Sequence, residues 1–194
     1  MLSGSGWWGR STSRRGACFC DRPGPAVSAG RCREVRRKLI VTRGLPASGK
    51  TTEALSWVAE DPEHRARVGS DEIAAMLHPH VLASDGAAYG ARYAEREQLV
   101  VNAAIEALLR AGIDVVCDDP FLLPHYLEAV RELAERCDAE LVIWDFTTVD
   151  VEDCIARDRL RGLSGGRTIG EHKIRVQHQL FRAYQELAHA AEDG

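Results

Sequence analysis

A three-layer α/β domain built on a parallel sheet is the fold that this 194-residue sequence predicts, and the alternation of its elements is the first reason. From Lys38 onward, short β-branched runs are followed in turn by segments of helical periodicity. Strands that alternate with helices pair in parallel through right-handed crossovers, which cover both faces of the sheet. The second reason is size: the roughly 157 residues after position 37 suffice for one core and leave no room for a second. The third is composition. With 45% hydrophobic residues, 28% charged residues and a net charge of -4, the chain has the balance of a globular protein, which excludes fibrous, collagenous and wholly disordered classes.

Each element has its own signal. Residues 38–43 (KLIVTR) predict a first strand that stops at Gly44. Residues 51–60 predict a helix, with Leu55, Val58 and Ala59 at helical spacing before Asp61-Pro62 ends it. A short strand at 66–69 and a brief helix at 71–77 come next, closed by His78-Pro79, and 81–90 read as loop. The longest helical pattern spans 91–110, with Leu99, Val100, Ala103, Ala104, Ala107 and Leu108 as its expected apolar face and Gly112 as its stop signal. Residues 114–118 (DVVCD) predict a buried strand, 124–136 a helix with Pro124 in its first turn, and 140–146 a further strand. Helices at 151–161 and 170–189 complete the chain, joined by the Gly-rich stretch 162–167.

No internal repeat is present, and no apolar run approaches the roughly 18–20 residues of a membrane-spanning helix, so no membrane partner is expected. Six cysteines occur without a signal-peptide core, and Cys117, Cys137 and Cys154 fall in strand or helix patterns, which predicts free thiols in a reducing, cytoplasmic setting. Trp57 and Trp144 read as core, and His78-Pro79-His80 as a polar loop rather than a metal site.

Residues 1–37 are of a different kind. Eight arginines against Asp21 and Glu34 give this segment +6 and leave -10 for the rest. Rich in Gly and Ser and lacking apolar periodicity, it predicts a disordered tail, with the folded domain at 38–194. Three roles compete for it: a basic arm for nucleic acid, an organelle transit peptide, and a zinc patch on Cys18, Cys20 and Cys32, the last lacking a fourth ligand. The alternative is that it has no role and the true start lies close to Lys38.

Chemistry concentrates at the first strand-to-helix turn. Gly44-Leu45-Pro46-Ala47-Ser48-Gly49-Lys50-Thr51 fits G-x-x-x-x-G-K-[ST] at every fixed position and lies between a β-branched strand and a helix, as a phosphate-binding loop requires. Its glycines let successive N–H groups point at phosphate oxygens, and the helix that begins near Thr51-Thr52 adds its positive end. Lys50 supplies charge for the β- and γ-phosphates, and Thr51 a hydroxyl for Mg²⁺. The expected ligands are therefore ATP and Mg²⁺, held by Gly44, Pro46, Ala47, Ser48, Gly49, Lys50, Thr51 and Thr52.

Three further places offer acids and bases. Asp71, just after the second strand, either accepts the proton of an attacking hydroxyl or caps the helix that follows. Of Asp118 and Asp119, which follow an apolar strand, one either supports Mg²⁺ or only shapes the turn before Pro120. Arg157 and Arg161, one turn apart, either clamp a transferring phosphoryl group or form a solvated basic face.

Taken in order, LIVTRGLPASGKTT, VGSDEIAAML, GIDVVCDDPFL and CIARDRLRGLSGGRTIGEHKI resemble the phage-type 5′-hydroxyl polynucleotide kinase domain, a small phosphate-loop (P-loop) kinase, from residue 38 to about 182. The resemblance implies the P-loop NTPase/kinase fold. It also implies that Lys50 and Thr51 bind ATP and Mg²⁺, that Asp71 is the general base, that Arg157 and Arg161 are lid arginines on the donor phosphates, and that Asp119 is the acid closing the third strand. Two positions depart from that family. Ala74 stands where an Arg would grip acceptor phosphate, and Asp118-Asp119-Pro120-Phe121-Leu122 replaces D-D-T-N-L. Losing a charge-assisted contact of that kind weakens acceptor binding about ten- to a hundredfold. Either Arg92 or Arg96 substitutes, or the acceptor is not a polynucleotide; Phe121 and Tyr89 are candidates to stack on a base.

The leading expectation is an ATP-dependent kinase acting on the 5′-hydroxyl of DNA or RNA, with a nucleic-acid 5′ end as partner. The alternatives are a kinase of the same fold for a small-molecule hydroxyl, and an ATP-binding module that has lost transfer.

Overall fold

The computed structural model describes residues 36–79 and 91–192. The expectations for residues 1–35, for the loop at 81–90, and for Tyr89 and His80 lie outside the described residues. Four strands, β1 (Lys38–Arg43), β2 (Arg65–Val68), β3 (Asp114–Cys117) and β4 (Glu140–Asp145), form one parallel sheet in the order β2-β3-β1-β4. Leu39 lies opposite Val115 on one side and Leu141 on the other, so β1 is central and its C-terminal end opens between two neighbours. In open parallel sheets, ligands bind at that end, where the connections diverge.

Six helices complete the described fold: α1 (Lys50–Glu60), α2 (Ser70–Leu77), α3 (Ala91–Arg110), α4 (Pro124–Arg136), α5 (Val151–Leu163) and α6 (Glu171–Glu192). Alternation along β1 divides the core between the two faces of the sheet. Leu39 and Val41, with Val115 and Cys117, pack against Val101, Ile105 and Leu109 of α3 and Val130 and Leu133 of α4. Ile40 and Val116 face Ala54 of α1, backed by Trp57 and Trp144, whose rings meet edge-on at 5.9 Å. Helices on both faces make the three layers expected. A separate cluster of Leu45, Leu122, Cys154, Ile155, Ile174 and Phe181 ties α5 and α6 to the first loop, which fixes the far wall of the site.

Most elements match their sequence signals to within a residue or two, but the apolar face of α3 does not. Leu99 is 70% exposed, and the buried stripe is Val101, Ile105 and Leu109, flanked by Ala104 and Leu108. Residues 99–101, 103–105 and 107–109 are all apolar, so the period is visible while its phase is ambiguous. Tertiary contact selects the stripe. A second correction concerns His78: it is buried, its ring edge-on to Tyr93 at 4.7 Å, and so belongs to the packing of α2 against α3 rather than to a polar loop. Cys117 and Cys154 are buried free thiols, and Cys137 is partly buried and free.

Candidate active site

The loop between β1 and α1 is curled by its backbone. Ala47 and Gly49 have φ of 63° and 109°, and the Ser48 N–H donates to the Leu45 carbonyl at 3.2 Å. Gly44 is required at the strand end because a Cβ there would lie 2.8 Å from that of Phe146. Within the curl, Lys50 Nζ donates to the carbonyls of Gly44 (2.9 Å) and Leu45 (2.5 Å) and to Ser48 Oγ (3.4 Å). Burial pushes the Lys50 ammonium down to about 8, while Asp118 and Asp119 oppose the shift. The lysine is therefore charged at neutral pH and is held against acceptors that phosphate oxygens can replace.

The sequence-predicted arginines come to this loop. Ala47, Gly49, Lys50, Thr51, Arg157 and Arg161 line one cleft of about 510 Å³, and Arg157 Nη1 donates to the Ser48 carbonyl at 3.3 Å. Between the two arginines, Asp158 is buried and accepts from the N–H groups of Ile169 (3.1 Å) and Gly170 (2.9 Å) and from Arg161. Burial alone would raise its pKa, but these donors outweigh burial and hold the carboxylate below its usual range. Asp158 thus clips the glycine-rich loop after α5 onto the helix that carries both arginines. Sequence reasoning gave it no role, although it lies between Arg157 and Arg161 in the stretch CIARDRLRG. Arg159 points elsewhere and pairs with Glu171, which also binds Arg175 at 2.8 Å.

Asp71 lies in the first turn of α2, exposed, and pairs with Arg167 of the glycine-rich loop at 2.8 Å. Such an exposed pair contributes at most about 1 kcal/mol, so incoming groups readily displace it. The two carboxylates after β3 divide their tasks. Asp118 is buried and paired with Arg67 at 2.9 Å, and Arg67 also holds Glu72 at 2.7 Å. Asp119 accepts from Ser70 through its N–H (3.0 Å) and its hydroxyl (2.7 Å), and burial lifts its pKa against those bonds. The Thr51 hydroxyl and the Asp119 carboxylate are hard oxygen donors suited to Mg²⁺. Asp119 is close enough for Lys50 to respond to its charge.

Beside Asp119 lies a second cavity of about 530 Å³, walled by Phe121, Leu122, Leu123 and Tyr126 and holding Glu97 and Gln177. Burial raises the Glu97 pKa, and the carboxylates of Asp119 and Asp71 raise it further, while Arg167 opposes them. Neither Glu97 nor Arg167 carries a motif, and their proximity to Asp71 depends on tertiary structure alone. Of the expected substitutes for the missing acceptor arginine, Arg96 is exposed on α3, and the Arg92 side chain lies outside the described residues. The cation paired with Asp71 is Arg167 instead. Ala74 is itself buried. Phe121 belongs to the core cluster as well as the cavity wall, so it is not an open stacking platform.

The sequence model of the AAA domain matches residues 39–184. The chain belongs to this AAA domain family. No curated protein matches the sequence. Among solved structures, a chain of the Pnkp1/Rnl/Hen1 RNA repair complex is similar at a TM-score of 0.63 and 22% identity, over 82% of this chain and 48% of that one. This chain therefore spans about half the length of that relative. The APS kinase CysC of Mycobacterium tuberculosis, solved with AMPPNP and APS, is similar at 0.50 and 17% identity, over 68% of this chain and 74% of that one. A chain of the PezAT toxin-antitoxin system of Streptococcus pneumoniae is similar at 0.53 and 16% identity, over 83% and 68%. At these identities the likeness establishes the fold, that of the P-loop kinases, and the family match agrees with it. Among the described residues, no helix is long and apolar enough to cross a membrane.

Proposed function

We propose that the protein is an ATP-dependent kinase that phosphorylates an alcohol hydroxyl, with Asp71 as general base. The observation that carries this reading is the convergence of Lys50, Thr51, Arg157 and Arg161 on one cleft, with Asp119, whose charge reaches Lys50, lining a second cavity. Lys50 exchanges the Gly44 and Leu45 carbonyls for β- and γ-phosphate oxygens. Arg157 and Arg161 balance the charge that spreads over the transferring group. Asp71, released from Arg167, takes the acceptor proton as the acceptor oxygen bonds to the γ-phosphorus and the bridging oxygen departs with ADP. Thr51 and Asp119 are the residues that would hold Mg²⁺, directly or through water, and the ion supplies charge neutralisation on the phosphates. The free thiols of Cys117, Cys137 and Cys154 suit a cytoplasmic setting.

Two acceptors compete. The 5′ end of a nucleic acid is supported by the motif order and by the likeness to a chain of an RNA repair complex. A compact alcohol is supported by the site itself: the acceptor-side cavity is apolar and acidic, and Arg67 and Arg167 are already paired with carboxylates. A nucleic-acid footprint is basic and open. We therefore favour the compact alcohol. The test is transfer from γ-labelled ATP to a 5′-hydroxyl oligonucleotide and, separately, to a panel of small alcohols. Label on small alcohols alone is expected; label on the oligonucleotide alone overturns the choice of acceptor. Tight ATP binding with no transfer to anything assigns a binding module instead.

A further inference from the structure

The acceptor-side cavity makes a demand that the kinase reading does not explain, and the inference drawn from it rests on that reading. Its charged lining groups among the described residues are Glu95, Glu97 and Asp119, all acidic. The Oε1 atoms of Glu97 and Gln177 are both buried without a protein partner. Buried acceptors are ordinarily satisfied, so two unpaired ones in side chains that line one cavity mark a wall that a ligand bringing donors completes once either side chain turns toward it. In the same lining, Phe121, Leu122, Leu123 and Tyr126 offer apolar surface that takes up an apolar body.

We propose that this cavity is the acceptor site and that it selects a compact amino alcohol: a protonated amine against Glu97 and Gln177, an apolar body against Phe121 and Tyr126, and the hydroxyl turned toward Asp71. A neutral polyol satisfies the two acceptors but leaves the carboxylate charge unbalanced, and an anion is repelled by it. The raised Glu97 pKa agrees: burial first, and then the carboxylates of Asp119 and Asp71, disfavour its charge more than Arg167 favours it, and a bound cation would favour it further. In the transfer step the new bond joins the acceptor oxygen to the γ-phosphorus, the γ-phosphorus bond to the bridging oxygen breaks, ADP leaves, and the hydroxyl proton goes to Asp71. The amine stays protonated and unreacted. Glu97 is thus a specificity-determining residue, recognising a group that does not react.

Three probes that share a phenyl body and a hydroxyl separate the charges: 2-amino-1-phenylethanol, 1-phenylethane-1,2-diol and mandelate. Binding of each without nucleotide is followed by calorimetry, and transfer from γ-labelled ATP by label on the probe. The amino alcohol is expected to exceed the diol about ten- to a hundredfold in affinity and in kcat/KM, with mandelate inert. Glu97→Gln is expected to remove that preference while keeping ATP affinity, which reports that the variant is folded. Preference for the diol or mandelate, or an amine preference unchanged in Glu97→Gln, overturns the proposal. If the amino alcohol binds through Glu97 but receives no label, the kinase reading fails and the cavity assignment stands. If label goes preferentially to the diol or to a 5′-hydroxyl oligonucleotide, the kinase reading stands and the amine selectivity fails.

Discussion

Replacing Lys50 with Met should separate what the lysine does for nucleotide from what it costs the fold. Lys50 is 6% exposed and its ammonium is held at about 8, against 10.5 for a free lysine. Because the folded pKa is depressed, the unfolded chain binds more protons between these values, and the lysine's contribution to stability rises with pH across that window. Below about pH 8 both states are protonated and the full penalty of burying the charge is present, a difference of about 3 kcal/mol at 1.36 kcal/mol per pKa unit. Urea unfolding of the nucleotide-free protein and of Lys50→Met at pH 7.5 and 9.5 measures this directly. The wild type should gain roughly 2 kcal/mol on the variant over that interval. Nucleotide affinity should move the other way, falling as pH rises through 8 in the wild type and being largely lost in the variant at every pH. A stability difference between the two proteins that does not change with pH would refute the reasoning, since it would mean that the buried ammonium carries no desolvation penalty.

Asp158→Asn should lower stability by about 1.5–3 kcal/mol, because a buried carboxylate accepting from Ile169, Gly170 and Arg161 loses its charge. In a domain of this size that is a fall of roughly 3–12 °C in melting temperature. With the folded pKa below 3.8, the contribution is present above about pH 4 and lost in acid, so the wild type should approach the variant as pH falls below that value. Ile105→Ala, emptying a site 1% exposed in the largest core cluster, should cost about 2–5 kcal/mol by denaturant titration, whereas Leu99→Ala, at 70% exposure, should stay within about 0.5 kcal/mol. Arg167→Ala should change stability by less than about 1 kcal/mol, since its pair with Asp71 is exposed, while altering KM for the acceptor alcohol.

The phosphate loop was legible because its pattern is local. The loop Gly44–Thr51 carries its own spacing, its strand and its helix within a short stretch of chain, and these elements form where the periodicity puts them. Arg157 and Arg161 could be paired by their helical spacing, and the motif resemblance brought them to the loop where Arg157 meets Ser48. The surroundings of Asp71 were not legible. Glu97 is one more acid on a charged helix, and Arg167 one more residue in a glycine-rich stretch. Their meeting with Asp71 and Asp119 is set by how α3 and the loop after α5 pack around the sheet edge. The same holds for α3, where apolar residues occupy several adjacent stripes and only the sheet decides that Val101, Ile105 and Leu109 turn inward.

The most direct measurement is phosphoryl transfer from γ-labelled ATP to hydroxyl acceptors by the wild type and by Asp71→Asn, with nucleotide affinity determined for both. The account predicts labelled alcohol from the wild type, a loss of about 10²–10⁴ in the variant, and equal ATP affinity. Full transfer by Asp71→Asn would contradict the assignment of the base, and ATP binding without transfer by the wild type would contradict the kinase itself.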